Sequence, residues 1–484
     1  MLNQARALAE RLEKVDVSPK AALAVIVFVG LARDLIEDAL NNFEFDAVLG
    51  FSPVQEFTVT VLDFVMFYLG IFLLLAAAQR LLLKRNYYAP LLLGIMLGLM
   101  PPVLDALFTG NTTYFYVEPH PLFLEPGISA GELAVVYGGI LLFAFYIWAR
   151  TGELIKGLAA LFAAWATLQI MGSLLNYGSD VAAQMIVPDS DWMFGALFFV
   201  SRALLFLAPL AIIDSNFRKF LMYRASRIFL FMGLSAFSIA LFETGPVEGT
   251  ITFGAAFFAY LLLFMTNRDA KEDKENKRPE FRFEWITWAV VLAGLGNAML
   301  LIALRESNAL WIVAGLAGLA LVYNRPLNLK RSFPGAYLVE GLAFTAIMAS
   351  YGAWEGGFGG RVLVALGACF LTFAIGSAVK DYKDAEGDRK AGVRTAFTVL
   401  GKKGRETFWN VFRVVLIIGP LAFIAAAQME ISVAQAALWL VFALGSGYVL
   451  FFSNWKDKEK TVDAYIWLFS GLLFLSGLML GALQ

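Results

Sequence analysis

About fifteen stretches of roughly 20 mostly apolar residues follow one another along the chain, and a helix needs a stretch of that length to cross a membrane. Hydrophobic residues make up 60% of the sequence and charged residues only 16%, so a soluble chain would have too little polar surface to cover them. The sequence therefore predicts an all-α, polytopic membrane protein. The predicted spans cover 20–46, 56–79, 89–108, 131–149, 154–176, 193–213, 226–242, 250–266, 285–304, 308–323, 335–352, 361–380, 408–428, 433–453 and 463–483.

Positive charges alternate along the loops between these spans. The loops at 267–284 and 381–407 are rich in Lys and Arg, whereas those at 243–249, 353–360 and 428–432 contain neither. Loops with an excess of Lys and Arg stay on the cytoplasmic side of a membrane. The pattern predicts a cell-membrane protein with a cytoplasmic N-terminus and an external C-terminus.

The charge balance and the rare residue types exclude several classes of function. The 38 Lys and Arg residues are balanced by 39 Asp and Glu residues, and this balance argues against a nucleic-acid binder. The single cysteine, Cys369, excludes an internal disulfide and a cysteine-based zinc site, and the single histidine, His120, excludes a multi-histidine metal centre. Any metal ion must therefore be bound through carboxylates. Nothing in the sequence indicates a protein partner.

A basic loop at 214–227 divides the spans into two blocks. When about 20 apolar residues are taken for each span, residues 1–213 contain about six predicted spans and residues 214–484 contain about nine. Neither a convincing repeat nor a low-complexity linker separates them, so we expect the blocks to be joined through packed helices. No motif indicates the role of residues 1–213.

Three aspartates follow the sixth span of the second block, in the sequence DYKDAEGDRKAGVRTAFTVLG. Asp381, Asp384 and Asp388 stand at positions i, i+3 and i+7, which places their carboxylates on one face of a helix. Carboxylates grouped in this way repel one another unless a cation lies between them, and Mg²⁺ prefers such oxygen ligands together with phosphate oxygens. The alternative is a solvated cytoplasmic loop whose charges only flank a span, and the spacing alone favours neither.

A second acidic element follows the span at 250–266. Asp269 and Asp273 are four residues apart and share a helical face, and Arg278 follows them. Because both acidic elements follow spans at their cytoplasmic ends, they could face each other across one cavity. Two opposed carboxylate groups around Mg²⁺ would bind a diphosphate and neutralise the charge that develops when an allylic diphosphate ionises.

The second block resembles the UbiA superfamily of intramembrane prenyltransferases over about residues 220–484. The segment that begins at Asp381 is similar to the second aspartate-rich motif of that family, DxxDxxxD, with its EGD-R-x-x-G-x-x-T extension. VYNRPLNLKRSFPGAYLVEG, between the fourth and fifth spans of the block, is similar to a cytoplasmic stretch of the family and contains Tyr323, Lys330 and Arg331.

The resemblance implies an integral-membrane prenyltransferase, a bundle of nine helices around a cavity that opens to the cytoplasmic side and laterally to membrane lipid. It implies that Mg²⁺ is bound by five aspartates: Asp269, Asp273, Asp381, Asp384 and Asp388. It also implies a set of residues around the diphosphate: Lys330, Arg331, Arg278, Arg389 and Tyr323. The substrates would be a polyprenyl diphosphate and a prenyl acceptor, either an aromatic ring or a lipid of the glycerol-phosphate type. The prenyl length and the acceptor stay open.

The first acidic element departs from the family pattern, NDxxDxxxD. When Asp269 and Asp273 are aligned with its second and third aspartates, Met265 stands at the asparagine position and Thr266 at the first aspartate position. This departure favours an alternative, a catalytically inactive UbiA-like protein that acts as a lipid carrier or scaffold. A transporter is a weaker third reading, because no inverted repeat or broken-helix pair is apparent.

Residues 1–213 carry charges where the apolar pattern predicts spans. Arg33 lies in the first span, and Asp63 and Asp105 lie in later ones. Because charges inside a membrane are costly, one reading pairs Arg33 with one of these acids. In the alternative reading the helix leaves the membrane at Leu31 and its charges lie in water.

Overall fold

The computed structural model of the protein is helical and contains no strand within the residues that it describes. This confirms the predicted all-α class. The described residues are 2–40, 53–109, 130–175, 206–266, 274–276, 279–304, 307–324, 329–331, 333–355, 358–400, 402–428, 431–452 and 458–481.

The chain divides into two compact units. The first unit contains Met1–Pro188, Phe198–Arg218 and Arg282–Val290. The second unit contains Asp189–Leu197, Lys219–Phe281 and Val291–Gln484. The sequence-based boundary between residues 213 and 214 stays a prediction.

Seven helices lie in the first unit, and most are long. They are α1 (Leu2–Glu13), α2 (Pro19–Leu40), α3 (Pro53–Leu83), α4 (Tyr88–Met96), α5 (Met100–Thr109), α6 (Ala130–Thr151) and α7 (Leu154–Leu175). Local sequence sets several of their ends. Proline occupies the first position of α2 and α3, where its missing N–H is not needed. Helix α6 ends before Gly152, whose φ of 73° is a left-handed conformation that glycine adopts without strain.

Two helices, α8 (Ser215–Tyr223) and α11 (Trp285–Leu304), begin in the first unit and continue in the second. Ten helices lie in the second unit. They are α9 (Ala225–Leu241), α10 (Pro246–Thr266), α12 (Ala309–Asn324), α13 (Gly335–Gly352), α14 (Gly360–Gly376), α15 (Ala378–Ala391), α16 (Ala396–Val399), α17 (Lys402–Ala427), α18 (Val433–Gly447) and α19 (Lys458–Gly481).

Within the described residues, eight helical segments are long and apolar enough to cross a membrane, or nine if the bent pair α8–α9 counts as one. They are Val65–Leu83, Tyr88–Leu107, Gly131–Thr151, Leu154–Met171, Glu248–Thr266, Glu406–Ala427, Val433–Phe452 and Lys460–Gly481. Three shorter apolar helical segments accompany them: Trp285–Leu300, Ala309–Leu319 and Val362–Gly376. The predicted multi-pass membrane protein is confirmed, whereas the total of about fifteen spans stays a prediction from segment length.

A partly buried ion pair lies in the first unit. Arg33 is 2% exposed; its guanidinium lies 3.0 Å from Glu132 Oε1 and donates to the carbonyl oxygen of Gly98 at 3.0 Å. The alternative in which Arg33 lies in water is therefore wrong. The structure pairs it with Glu132, which the sequence analysis did not single out. Asp105 accepts a hydrogen bond from the backbone N–H of Gly131, and the side chain of Asp63 lies outside the described residues.

Asp214 organises the start of two helices of the first unit. Its Oδ1 atom accepts from the backbone N–H groups of Asn216 and Phe217, at 2.9 and 3.1 Å. Its Oδ2 atom accepts from the backbone N–H of Glu284 at 3.0 Å and from the hydroxyl of Thr287 at 2.7 Å. Asp214 is thus a buried cap for the first turns of both α8 and α11. Partial burial and the neighbouring Asp214 carboxylate raise the pKa of Glu284.

We expect Asp214→Ala to lower the free energy of unfolding by about 2–4 kcal/mol, because four donors lose a charged acceptor. The measurement is thermal unfolding of the purified protein in detergent. Glu153→Ala is the control, since Glu153 is 58% exposed and its pair with Lys156 contributes about 0–1 kcal/mol. Equal midpoints for the two variants would show that Asp214 does not hold these helix starts.

Small residues allow the helices of the second unit to approach closely. A Cβ atom on Gly233 of α9 would lie 2.7 Å from the carbonyl oxygen of Ser470 on α19. A Cβ atom on Gly341 of α13 would lie 2.8 Å from Cβ of Ala374 on α14. Next to this crossing Phe344 and Phe373 stack with ring centroids 4.1 Å apart. Close contacts of this kind hold helices together in a membrane, where apolar burial alone provides little driving force.

Candidate functional site

Helix α15 carries all three aspartates of the second acidic motif. Asp381, Asp384 and Asp388 are 6%, 9% and 2% exposed, whereas Glu386 and Arg389 of the same helix are exposed. The predicted helix with its shared acidic face is present, and that face is buried. Because Asp381 and Asp388 are separated by about 10 Å along the helix axis, the three carboxylates form a row and do not converge on one point.

Tyr337 contacts the first carboxylate of this row. Its hydroxyl donates to Asp381 Oδ2 at 2.5 Å and accepts from the backbone N–H of Ala396 at 3.0 Å. Tyr337 is 8% exposed and lies in the first turn of α13. The hydroxyl therefore connects α13, the acidic face of α15 and the first residue of α16.

Asn276 contacts the last carboxylate of the row. Its side-chain amide donates to Asp388 Oδ1 at 2.7 Å. Gly387 makes room for this contact, because a Cβ atom there would lie 2.7 Å from Cγ of Asn276 and closer still to its Oδ1. Asn276 comes three residues after Asp273. The segment that follows the first acidic element therefore lies directly against the second.

The chain turns sharply after α15. Gly392 ends the helix with φ of 81°, and the N–H of Val393 donates to the carbonyl oxygen of Asp388 at 2.9 Å. Thr395 then caps α16 by accepting from the N–H of Thr398, and the Thr398 side chain accepts in return from the N–H of Thr395. The glycine and threonine of the motif's extension thus have structural roles, and the turn brings the start of α16 back to α15.

Tyr323 lies near the end of α12, in a small apolar cluster. It is 4% exposed and packs with Leu263 of α10 and with Ala336 and Val339 of α13. Its hydroxyl donates to Glu340 Oε1 at 3.2 Å. Tyr323 thus joins the end of α10, which leads into the first acidic element, to the helix that carries Tyr337.

Two basic residues of the predicted site are described. Arg331 ends a short 3₁₀ turn, Leu329–Arg331, and its carbonyl oxygen accepts from the N–H of Arg394 at 3.3 Å, which places this turn beside the chain that follows α15. Arg389 is exposed in the last turn of α15, where a cation also interacts favourably with the helix dipole.

Four residues of the predicted site lie outside the described residues, either entirely or in their side chains: Asp269, Asp273, Arg278 and the side chain of Lys330. Within the described part of the chain, no group of three acidic, cysteine or histidine side chains could hold a metal ion. The row of carboxylates on α15 would therefore need ligands from elsewhere to bind a metal.

Residues 269–476 match the model of the UbiA prenyltransferase family. Over this segment, which is less than half of the chain, the protein is similar to the members of that family. The match begins at Asp269 and includes α15, and the resemblance inferred from the motifs is thereby confirmed. No family model matches the N-terminal region, and no curated protein and no solved structure matches the chain.

Members of the UbiA family are in general membrane prenyltransferases, which act on a prenyl diphosphate and an acceptor. Its members generally use Mg²⁺ to bind the diphosphate. The buried row on α15 lies inside the UbiA segment and has the donor chemistry that such binding needs.

Three residues near the UbiA motifs were missed by sequence reasoning: Asn276, Tyr337 and Glu340. Asn276 lies in the basic loop at 267–284, and Tyr337 and Glu340 lie in the stretch VYNRPLNLKRSFPGAYLVEG. Asn276 is uncharged and does not stand out among acidic and basic neighbours, whereas Tyr337 and Glu340 fall inside a predicted span. Only their contacts, with Asp388, Asp381 and Tyr323 respectively, distinguish them.

Proposed function

We propose that this protein is an integral-membrane prenyltransferase that uses Mg²⁺ to bind and ionise a polyprenyl diphosphate. The prenyl group would pass to an aromatic ring or to a lipid of the glycerol-phosphate type. In this proposal the site opens to the cytoplasmic side, the N-terminus is cytoplasmic and the C-terminus is external.

The contact between Asn276 and Asp388 carries the proposal. It fixes the chain three residues beyond Asp273 against the last carboxylate of the second motif, at 2.7 Å. The described chain at 274–276 is therefore held at the acidic face of α15. This tether supports the expectation that the two acidic elements serve one site.

The residues present fit a magnesium ion by their chemistry. Mg²⁺ is usually held by one or two carboxylates together with substrate phosphate oxygens and water, and it does not need a complete protein cage. A row of three buried carboxylates offers such ligands along its length, while Asp269 and Asp273 would supply the facing set. Bound there, Mg²⁺ would neutralise the charge of the diphosphate as the leaving group departs.

The chain's own residues would bind and orient the substrates. Lys330, Arg331, Arg278 and Arg389 would contact diphosphate oxygens, and Tyr323 would contribute a wall or a hydrogen bond. The bond between the allylic carbon and the diphosphate oxygen breaks, and its electron pair leaves with the diphosphate. The acceptor then forms a bond to that carbon and loses a proton.

A second candidate, an inactive UbiA-like lipid carrier or scaffold, is favoured by the local structure at Thr266. This residue aligns with the first aspartate of the family's first motif. Its hydroxyl donates to the carbonyl oxygens of Leu262 and Leu263 in its own helix, at 2.8 and 3.1 Å. One carboxylate of the family pattern is therefore replaced by a group that bonds to its own backbone.

Release of diphosphate from geranylgeranyl diphosphate tests the two candidates. The full chain in lipid nanodiscs is assayed with Mg²⁺ or with chelator, against a panel of aromatic and glycerol-phosphate acceptors. We expect release that requires both Mg²⁺ and one acceptor class. Metal-dependent binding of the diphosphate without release by any acceptor would favour the carrier, and the absence of both would contradict the prenyltransferase.

A further inference from the structure

We propose that Tyr337 is a positioning residue of the metal–diphosphate site, and that its hydroxyl holds Asp381 in the orientation in which it binds the metal. The inference rests on the proposed function and extends it to a residue that neither the motifs nor the family match assigns.

The two hydrogen bonds of the Tyr337 hydroxyl carry the inference. A phenol has one proton to give, and here it goes to Asp381 Oδ2 at 2.5 Å. Its oxygen accepts the backbone N–H of Ala396 at 3.0 Å. The second bond leaves the proton directed at the carboxylate, so the Tyr337 hydroxyl holds Oδ2 and thereby fixes the orientation of the Asp381 side chain.

The position of Ala396 shows why this arrangement is rigid. Ala396 is the first residue of α16, whose start is fixed by the reciprocal cap between Thr395 and Thr398. Gly392 sets the turn that brings this cap back to α15. The motif's extension thus places the N–H of Ala396 against the Tyr337 hydroxyl, and this hydroxyl in turn holds the Asp381 carboxylate.

Groups that orient a metal ligand in this way affect metal affinity, although they do not touch the metal. Loss of such a partner typically lowers metal affinity or activity by about 10- to 100-fold. A residue that only packs the bundle would instead reduce the amount of folded protein and leave the metal dependence of that fraction unchanged.

The test uses Tyr337→Phe in the full chain, in nanodiscs. The probe is geranylgeranyl thiolodiphosphate, an analogue that ionises poorly, and its binding is measured at a series of Mg²⁺ concentrations. We expect the Mg²⁺ concentration for half-maximal binding to rise by about 10-fold or more, with similar capacity at saturating Mg²⁺. Tyr351→Phe is the control, because Tyr351 is a buried tyrosine of the same helix, about 20 Å further along it.

Ala396→Pro provides a second variant in case Tyr337→Phe folds poorly. Proline is tolerated at the first position of a helix, and Thr395 already has the extended conformation that a following proline requires. The variant removes the N–H donor and keeps the phenol. We expect a smaller shift of the Mg²⁺ dependence in the same direction.

The outcomes separate this inference from the proposed function. If the unmodified protein binds the analogue with Mg²⁺ and both variants retain its Mg²⁺ dependence, the role of Tyr337 is overturned and the proposed function stands. If the unmodified protein does not bind the analogue at any Mg²⁺ concentration, the proposed function and this inference are overturned together.

Discussion

Asp384→Asn is expected to lower the rate of prenyl transfer by about 10²–10³-fold, the loss typical when one group that stabilises developing charge is removed. Asp384 is 9% exposed and lies between the other two carboxylates of the row on α15. The substitution keeps the shape of the side chain and removes its charge. Acceptor-dependent release of diphosphate at saturating substrate is the measurement.

The stability of the same variant distinguishes a functional loss from misfolding. Three neighbouring buried carboxylates repel one another when no cation is bound, so removing one charge should leave unfolding in chelator at or above the wild-type temperature. Mg²⁺ should then raise that temperature less than in the wild type. Glu386→Gln is the matched control, because Glu386 is exposed on the same helix. Wild-type turnover by Asp384→Asn would refute the assignment of this carboxylate.

Gly387→Ala is expected to lower turnover by about 10- to 100-fold, as for loss of a group that supports a metal ligand. The added methyl group would occupy the place of the Asn276 side chain, with Cγ of Asn276 only 2.7 Å away. Asn276 must then move and lose its bond to Asp388. Since alanine favours a helix over glycine by about 1 kcal/mol, the loss should not come from melting α15.

Two further variants isolate the contact. Gly367→Ala is the control for the substitution itself, because a Cβ atom on this glycine of α14 meets nothing within 4 Å. In an Asn276→Ala background, Gly387→Ala should lower turnover little further, since the two changes remove the same interaction. Additive losses in the double variant would contradict the proposed tether.

The helical class and the acidic face were predictable because both rest on local spacing. Apolar stretches of about 20 residues predict spans whatever their neighbours. Asp381, Asp384 and Asp388 share a face by helical geometry alone, and the structure shows that face buried. The family motifs added the other predicted site residues, and the roles of all the predicted site residues stay predictions.

The remaining contacts depend on residues far apart in sequence, which periodicity does not report. Arg33 pairs with Glu132, 99 residues away, and Asn276 reaches Asp388, 112 residues away. Asp214 caps α11 across 70 residues. None of these pairs has a sequence signal, because each arises from how the helices pack.

Binding of radiolabelled geranylgeranyl thiolodiphosphate to the full chain in nanodiscs most directly tests the central claim, that the buried aspartates hold a metal–diphosphate. We expect saturable binding with Mg²⁺, loss of binding in chelator, and strongly weakened binding by Asp384→Asn. Equal binding by the wild type and Asp384→Asn, or binding that persists in chelator, would contradict it.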